Sequence, residues 1–253
     1  INPNINAKTH PKIATGLYST KFGLTESIAD ELLLKISNDQ NLNLIGLACH
    51  IGSQITDLKP LKEAASRMAD IAIRLMKDGN DLRFINMGGG LGIRYKDEVP
   101  PELQDYANTL IGEIKRTKLK LIIEPGRVIA GNMGVLVTKV IGVKKTPEKH
   151  FVVVDAAMND LCRPSVYDAY HEIQQVSDND EEIITGDIVG PICETGDYLA
   201  KDRELARPNA GDLLVVRSCG AYGATMASNY NSRARVVEVL VDDSEFQIIR
   251  KRE

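Results

Sequence analysis

Three short segments of this 253-residue chain place reactive side chains or bare backbone where the chain changes direction: HIGSQ from His50, the glycine triplet Gly88, Gly89 and Gly90, and EPGR from Glu124 to Arg127. A glycine turn lets a phosphate approach backbone N–H groups without side-chain obstruction. A carboxylate and a guanidinium three residues apart can handle protons and anions. Each segment also has an ordinary reading. His50 alone is better read as a strand-end histidine bonded to backbone, the glycines are about evenly a phosphate cradle or a bare turn, and EPGR alone is a surface ion pair. The triplet also lacks the directly following helix of a dinucleotide fingerprint. Two later segments, CETGD (193–197) and GAYG (220–223), put a thiol and a phenol in loop-like contexts, where a buried cysteine and a packed tyrosine are the bland alternatives.

Convergence changes the weighing, and it comes from the elements that carry these segments. An apolar run from Leu44 to Ile51 reads as a strand, and a helical stripe follows with Leu61, Ala65, Met68, Ala72 and Leu75 on one face. Asp57 caps that helix and Gly79 ends it. A strand from Phe84 to Met87 runs into the glycines, Pro100 and Pro101 open a helix with Leu103, Ala107, Leu110 and Ile114, and Leu121 to Ile123 forms the next strand. With INPNI (1–5) and a helix from Thr25 to Asn38, this makes about four βα units, the pattern of a parallel sheet. His50, the glycines, and Glu124 with Arg127 then end successive strands, on the rim where parallel sheets bind ligands.

Beyond Met133 the pattern becomes β-rich, at 135–143, 151–155, 183–189 and 213–217, with a hairpin over 236–241 and 246–249. The expected fold is α/β plus β: residues 1–133 as half of a (β/α)8 barrel and residues 134–253 as a mostly β domain. A whole barrel takes about 250 residues, so the first domain reads as part of one, with an unpaired edge at its first strand.

With 43% hydrophobic and 26% charged residues and a net charge of −4, the composition is that of an ordinary globular protein with neither a nucleic-acid nor a membrane signature. The acidic cluster from Asp178 to Glu182 reads as a solvated loop. The start lacks the basic and apolar stretches of a signal peptide, which gives a cytoplasmic expectation. Cys49, Cys162, Cys193 and Cys219 form no C-x-x-C pair, so they read as reduced thiols, with no metal site.

HIGSQ, GGG with its following LGI, EPGR, RPSVY (163–167), CETGD and GAYG occur in the order found in the diaminopimelate decarboxylases, and the chain resembles that family along essentially its whole length. The resemblance implies an alanine-racemase-like barrel binding pyridoxal 5′-phosphate (PLP), a C-terminal β domain, a site shared across a homodimer, and conversion of meso-diaminopimelate to L-lysine. It implies that His50 stacks on the cofactor ring, and that Ser53, Gly88, Gly89, Gly90, Pro125, Gly126 and Arg127 lie around the cofactor and its phosphate. Glu124 would meet the ring nitrogen and Tyr222 would touch the cofactor. Cys193 would reach in from the partner subunit as proton donor. Arg163, with Tyr167 and Arg127, would take the carboxylate at the substrate's distal end and Glu194 its ammonium, and Tyr222 would also contact the substrate.

A glutamate against the ring nitrogen argues for decarboxylation, since racemases of the same fold place an arginine there. An arginine in RPSVY argues for a substrate with a distal carboxylate. Decarboxylases of this group hold PLP on a lysine upstream of every motif here. Neither Lys8 nor Lys12 has its YAxKAN surroundings, and both read as solvent-facing. The expectation is therefore a portion of a longer decarboxylase, inactive alone. The alternatives are a non-catalytic homologue that binds PLP or a partner, and an ornithine or arginine decarboxylase; retention of Cys193, Glu124 and Arg163 favours the first reading.

Overall fold

The computed structural model describes residues 1–177 and 181–253, so most of the expected acidic loop, residues 178–180, lies outside the described residues. The chain divides into two compact units, Ile1–Ile129 and Ala130–Glu253.

In the first unit, α1 (Glu26–Ser37) starts where the Thr25 hydroxyl accepts the N–H of Ile28. Strand β1 (Gly46–Ala48) leads to α2 (Leu58–Lys77), whose first turn is capped by the Asp57 carboxylate accepting from the Lys59 N–H. The helix stops before Gly79, whose φ of +93° is the left-handed conformation that favours glycine. Then come β2 (Phe84–Asn86), α3 (Leu103–Ile114), β3 (Lys120–Ile122) and a single helical turn, α4 (Arg127–Ala130). The strands form a parallel sheet in the order β1-β2-β3, with Leu47, Ile85 and Leu121 in register. The expected stripe of α2 is buried, and it packs with Ile85, Leu110 and Ile114 in one core. This is the strand–helix repeat of a (β/α)8 barrel, of which this unit is a part.

Two expectations need correction. The ladder of β1 is only three residues long rather than spanning 44–51, although Cys49 and Ile51 beyond it remain buried. INPNI joins no ladder. The Asn2 N–H donates to the Leu24 carbonyl, and its side-chain amide donates to the carbonyls of Leu17 and Phe22. Those bonds bind the segment to the loop over residues 15–24, which leaves three laddered strands among the described residues instead of four.

The second unit is built on a six-stranded sheet in the order β6-β9-β4-β5-β7-β8. Its long strand β4 (Leu136–Lys145) pairs through its first residues with β9 (Leu213–Val216) and from Val140 onward with β5 (His150–Val154), a bulge between Val140 and Gly142 interrupting the second ladder. Strand β5 runs parallel to β7 (Ile183–Val189). Strand β7 pairs antiparallel with β8 (Tyr198–Ala206), as does β6 (Ile173–Gln175) with β9. A one-turn helix, α5 (Arg163–Tyr167), precedes β6. Val140, Val152, Val154, Leu161, Ile188, Leu199 and Leu214 fill the core. The expected hairpin is present as β10 (Glu238–Asp242) and β11 (Glu245–Arg250). Strands β6 and β8 were not anticipated: the first is too short to show alternation, and Lys201, Asp202, Arg203 and Glu204 break any apolar period in the second. No described helix is long and apolar enough to cross a membrane.

Candidate functional site

The parallel sheet of the first unit brings three of its motifs together. Just past β1, Cys49 donates its N–H to Asn86 at the end of β2, and Glu124, just past β3, donates its N–H to the Gly88 carbonyl. Asn86 joins them: its amide donates to Glu124 Oε1 at 2.6 Å, and its Oδ1 accepts the Gly88 N–H at 2.8 Å. The Gly89 N–H donates to His50 Nδ1 at 3.2 Å. His50, the glycine turn and Glu124 thus share one hydrogen-bonded rim, and His50 and Glu124 line a cavity of about 280 Å³ together with Asn2, Thr15 and Asn86.

The glycines are dictated by this packing. Gly88 and Gly90 have φ of +65° and +107°, and a Cβ on Gly89 would collide with the Glu124 carbonyl oxygen. Gln54 holds the neighbouring loop by donating to the Ile93 carbonyl (2.6 Å) and accepting the Ile93 N–H (3.2 Å), so HIGSQ and GGGLGI are joined side by side.

Arg127, only 6% exposed, begins α4. Its guanidinium donates to the Tyr95 hydroxyl at 2.6 Å and to Ser53 Oγ at 3.0 Å. A cationic fork and a serine hydroxyl beside an open backbone suit a phosphate. At Gly126 an added Cβ would meet no protein atom. Packing therefore does not require glycine there, and the bare backbone leaves room for a bound group. With Glu124 available to accept a ring N–H, these residues fit PLP. Asn86 and Tyr95 were not singled out in the sequence, and Gln54 was visible only as the last residue of HIGSQ. Of the first two, only Asn86 left a signal, as a polar residue ending an apolar strand.

Partial desolvation lowers the His50 imidazole below its ordinary value, against the opposing pull of the Glu124 charge. The geometry agrees, since an Nδ1 that accepts the Gly89 N–H carries no proton. The unfolded chain therefore binds the proton more readily. His50 adds stability that is complete above the ordinary histidine pKa of about 6.5 and is lost as pH falls toward its lower folded value. Thermal melts between about pH 7.5 and pH 5 should accordingly show a smaller acid-side fall in Tm for His50→Gln than for the native protein, and parallel curves would contradict this.

The second unit joins two other motifs. Ser165 Oγ of RPSVY donates to the Gly196 carbonyl at 2.6 Å, and Tyr198 Oη donates to Asp168 Oδ1 at 2.7 Å. That hydrogen bond to the Asp168 carboxylate, with burial, pushes the Tyr198 phenol up to about 12. Within CETGD, Asp197 is buried and accepts the N–H groups of Met158 and Ile192, both at 2.7 Å. It closes the turn that leaves Cys193 and Glu194 exposed. Glu194 Oε2 accepts from the Tyr230 hydroxyl at 2.7 Å. Arg163 is buried at the start of α5, Tyr167 ends it half-buried, and Tyr222 is exposed with a left-handed φ of +69°. Of the four thiols only Cys193 is exposed; burial pushes Cys49 and Cys219 up to about 12 and also raises Cys162. Tyr230 carried no sequence signal that separates it from ordinary packing, and Asp197 was visible only as the last residue of CETGD.

Residues 1–131 match the family model described as the pyridoxal-binding domain of pyridoxal-dependent decarboxylases. Over its whole length the chain is 53% identical to a diaminopimelate decarboxylase of Neisseria meningitidis serogroup B and 47% identical to one of Aquifex aeolicus, covering 61% and 60% of them. It superposes along its full length on a Helicobacter pylori diaminopimelate decarboxylase solved with L-lysine, with a TM-score of 0.95, 44% identity and 63% of that chain covered. The chain thus spans about three-fifths of the length of these relatives. The matched domain takes in the rim of His50, Gly88–Gly90 and Glu124 and more than half of the chain, and the chain belongs to the pyridoxal-dependent decarboxylase family.

Proposed function

We propose that this chain carries the cofactor and substrate residues of an enzyme that decarboxylates meso-diaminopimelate to L-lysine. The observation that carries the reading is the Glu124 carboxylate fixed by Asn86 on the rim beside His50 and the glycine turn. PLP, when bound, accepts the electron pair left behind as carbon dioxide departs, and does so best while its ring nitrogen is protonated. Glu124 holds that proton in place by accepting it in a hydrogen bond. His50, its Nδ1 anchored to the Gly89 N–H, would pack on the ring. Ser53, Gly88, Gly89, Gly90, Pro125, Gly126 and Arg127 would hold the cofactor's phosphate end, and Tyr222 would contribute a further contact. Cys193 delivers the proton that takes the place of the lost carboxylate.

Substrate choice follows from charge. Arg163, with Tyr167 and Arg127, takes the distal carboxylate, and Glu194, oriented by Tyr230, takes the distal ammonium. Ornithine and arginine offer no distal carboxylate. The names of the relatives and the L-lysine in the Helicobacter pylori structure support the same substrate class. The working form in this reading is a cytoplasmic homodimer.

The test is carbon dioxide release by the intact native enzyme with PLP from meso-diaminopimelate, L-ornithine and L-arginine in parallel. Turnover of diaminopimelate at least about 100-fold above the others is expected, since a site built to bond a polar group of its substrate rejects an analogue that lacks the group by that factor or more. Preferential release from ornithine or arginine would replace this reading with that of a basic amino-acid decarboxylase.

A further inference from the structure

The second unit contains a histidine that no step above uses. His171 is 0% exposed, and both of its ring nitrogens are engaged. Nδ1 lies 2.8 Å from the Arg217 carbonyl oxygen and Nε2 lies 2.8 Å from Arg163 Nη1. A guanidinium nitrogen only donates, so Nε2 must accept, and Nδ1 must carry the proton that it donates to Arg217. The two partners fix one tautomer and require a neutral ring.

The base of this imidazole is firmly placed. The Arg217 N–H donates to the carbonyl of Glu172, the next residue after His171, and the His171 carbonyl accepts from Arg203 Nη2 at 3.2 Å. The ring therefore stands on the β6–β9 side of the sheet and reaches α5 at its first residue. Arg163 needs such a support. It is 7% exposed and belongs to a five-residue helix, too short to be stable by itself.

The geometry points to His171 as the positioning residue for Arg163: a neutral imidazole of fixed tautomer that sets the plane and reach of the guanidinium, and thereby how tightly the substrate's distal carboxylate is held. The inference rests on the role given to Arg163 above. A two-pronged arginine–carboxylate contact is lost when the fork turns out of plane, so the orientation of its plane is worth controlling. The residue type matters as well. An aspartate in this place would neutralise the fork and compete with the substrate's own carboxylate, whereas an apolar residue would leave Nη1 without this acceptor. Imidazole accepts from the fork and adds no charge.

Two substitutions in the intact holoenzyme separate this role from simple packing. His171→Asn keeps a donor for the Arg217 carbonyl but is too short to reach Arg163. His171→Gln puts an amide oxygen close to the place of Nε2. His171→Asn should raise KM for meso-diaminopimelate about tenfold or more, the worth of one hydrogen bond to a charged group, with kcat changed less than about threefold. The inhibition constant of L-lysine, which keeps a carboxylate, should rise in parallel. That of 1,5-diaminopentane, which has none, should stay within about twofold, and His171→Gln should recover most of the loss.

A folded His171→Asn enzyme with native KM, beside an Arg163→Met enzyme whose KM rises, would overturn the positioning role and leave the Arg163 reading standing. An unchanged KM in Arg163→Met would overturn both. A further measurement needs no substitution: ¹⁵N shifts of the His171 ring in the native holoenzyme should show the proton on Nδ1 throughout the range of activity. A proton on Nε2 would refute the inference directly.

Discussion

Glu124→Gln is expected to lower kcat about 10²- to 10³-fold, the range found when one preorganised electrostatic group is removed from an active site. The substitution is nearly isosteric. Its amide oxygen can still accept from Asn86, which now bonds Glu124 Oε1 at 2.6 Å, and the Glu124 backbone bond to Gly88 is untouched. What disappears is the negative charge that keeps a pyridine nitrogen protonated, and with it the advantage of a decarboxylase over a racemase. Cofactor affinity should change little, because the residues at the phosphate end, Ser53, Gly126 and Arg127, are unaltered. The measurement is kcat together with a PLP titration of the intact enzyme. Loss of activity caused only by loss of PLP would assign Glu124 to cofactor binding, and an unchanged kcat would remove it from the chemistry.

The reach of the sequence reading follows from which interactions are local. Helix α2 was legible nearly to the residue because its signals are: the Asp57 carboxylate caps a bond two residues away, Gly79 takes the left-handed φ, and the stripe from Leu61 to Leu75 repeats at helical spacing. The rim was legible in outline, since strand ends in a parallel sheet lie on one side, and the sheet does bring His50, Gly89 and Glu124 together. What supports these residues was not. Tyr95 reaches Arg127 across 32 residues, His171 reaches Arg217 across 46, and Tyr230 reaches Glu194 across 36. No periodicity or neighbouring motif encodes such pairs. INPNI misled for the opposite reason: its apolar alternation suits a strand, but Asn2 uses its backbone and its side chain to hold the following loop.

Cys193→Ala tests the other end of the reaction. When a carboxyl group leaves a carbon, that carbon must gain a proton, and a well-placed acid is worth about 10²- to 10⁴-fold in rate. A loss of that size in kcat is expected in the intact enzyme, with KM for diaminopimelate within about threefold, because Arg163, Tyr167 and Glu194 remain to bind the distal end. Folding should be unaffected. The turn that presents Cys193 is closed by Asp197 accepting from Met158 and Ile192, and Ser165 ties it to the Gly196 carbonyl; none of these bonds uses the Cys193 thiol. An exposed side chain of this kind costs within about 0.5 kcal/mol when trimmed. Of the other thiols, burial holds Cys49 and Cys219 at about 12, far too weakly acidic to give up a proton readily at neutral pH, and it also raises the half-buried Cys162. Alkylation of the native enzyme with iodoacetamide should reproduce the loss in step with modification of Cys193, and the Cys193→Ala enzyme should resist further inactivation. If turnover survives both treatments, the proton comes from another group, and Tyr222 becomes the residue to test.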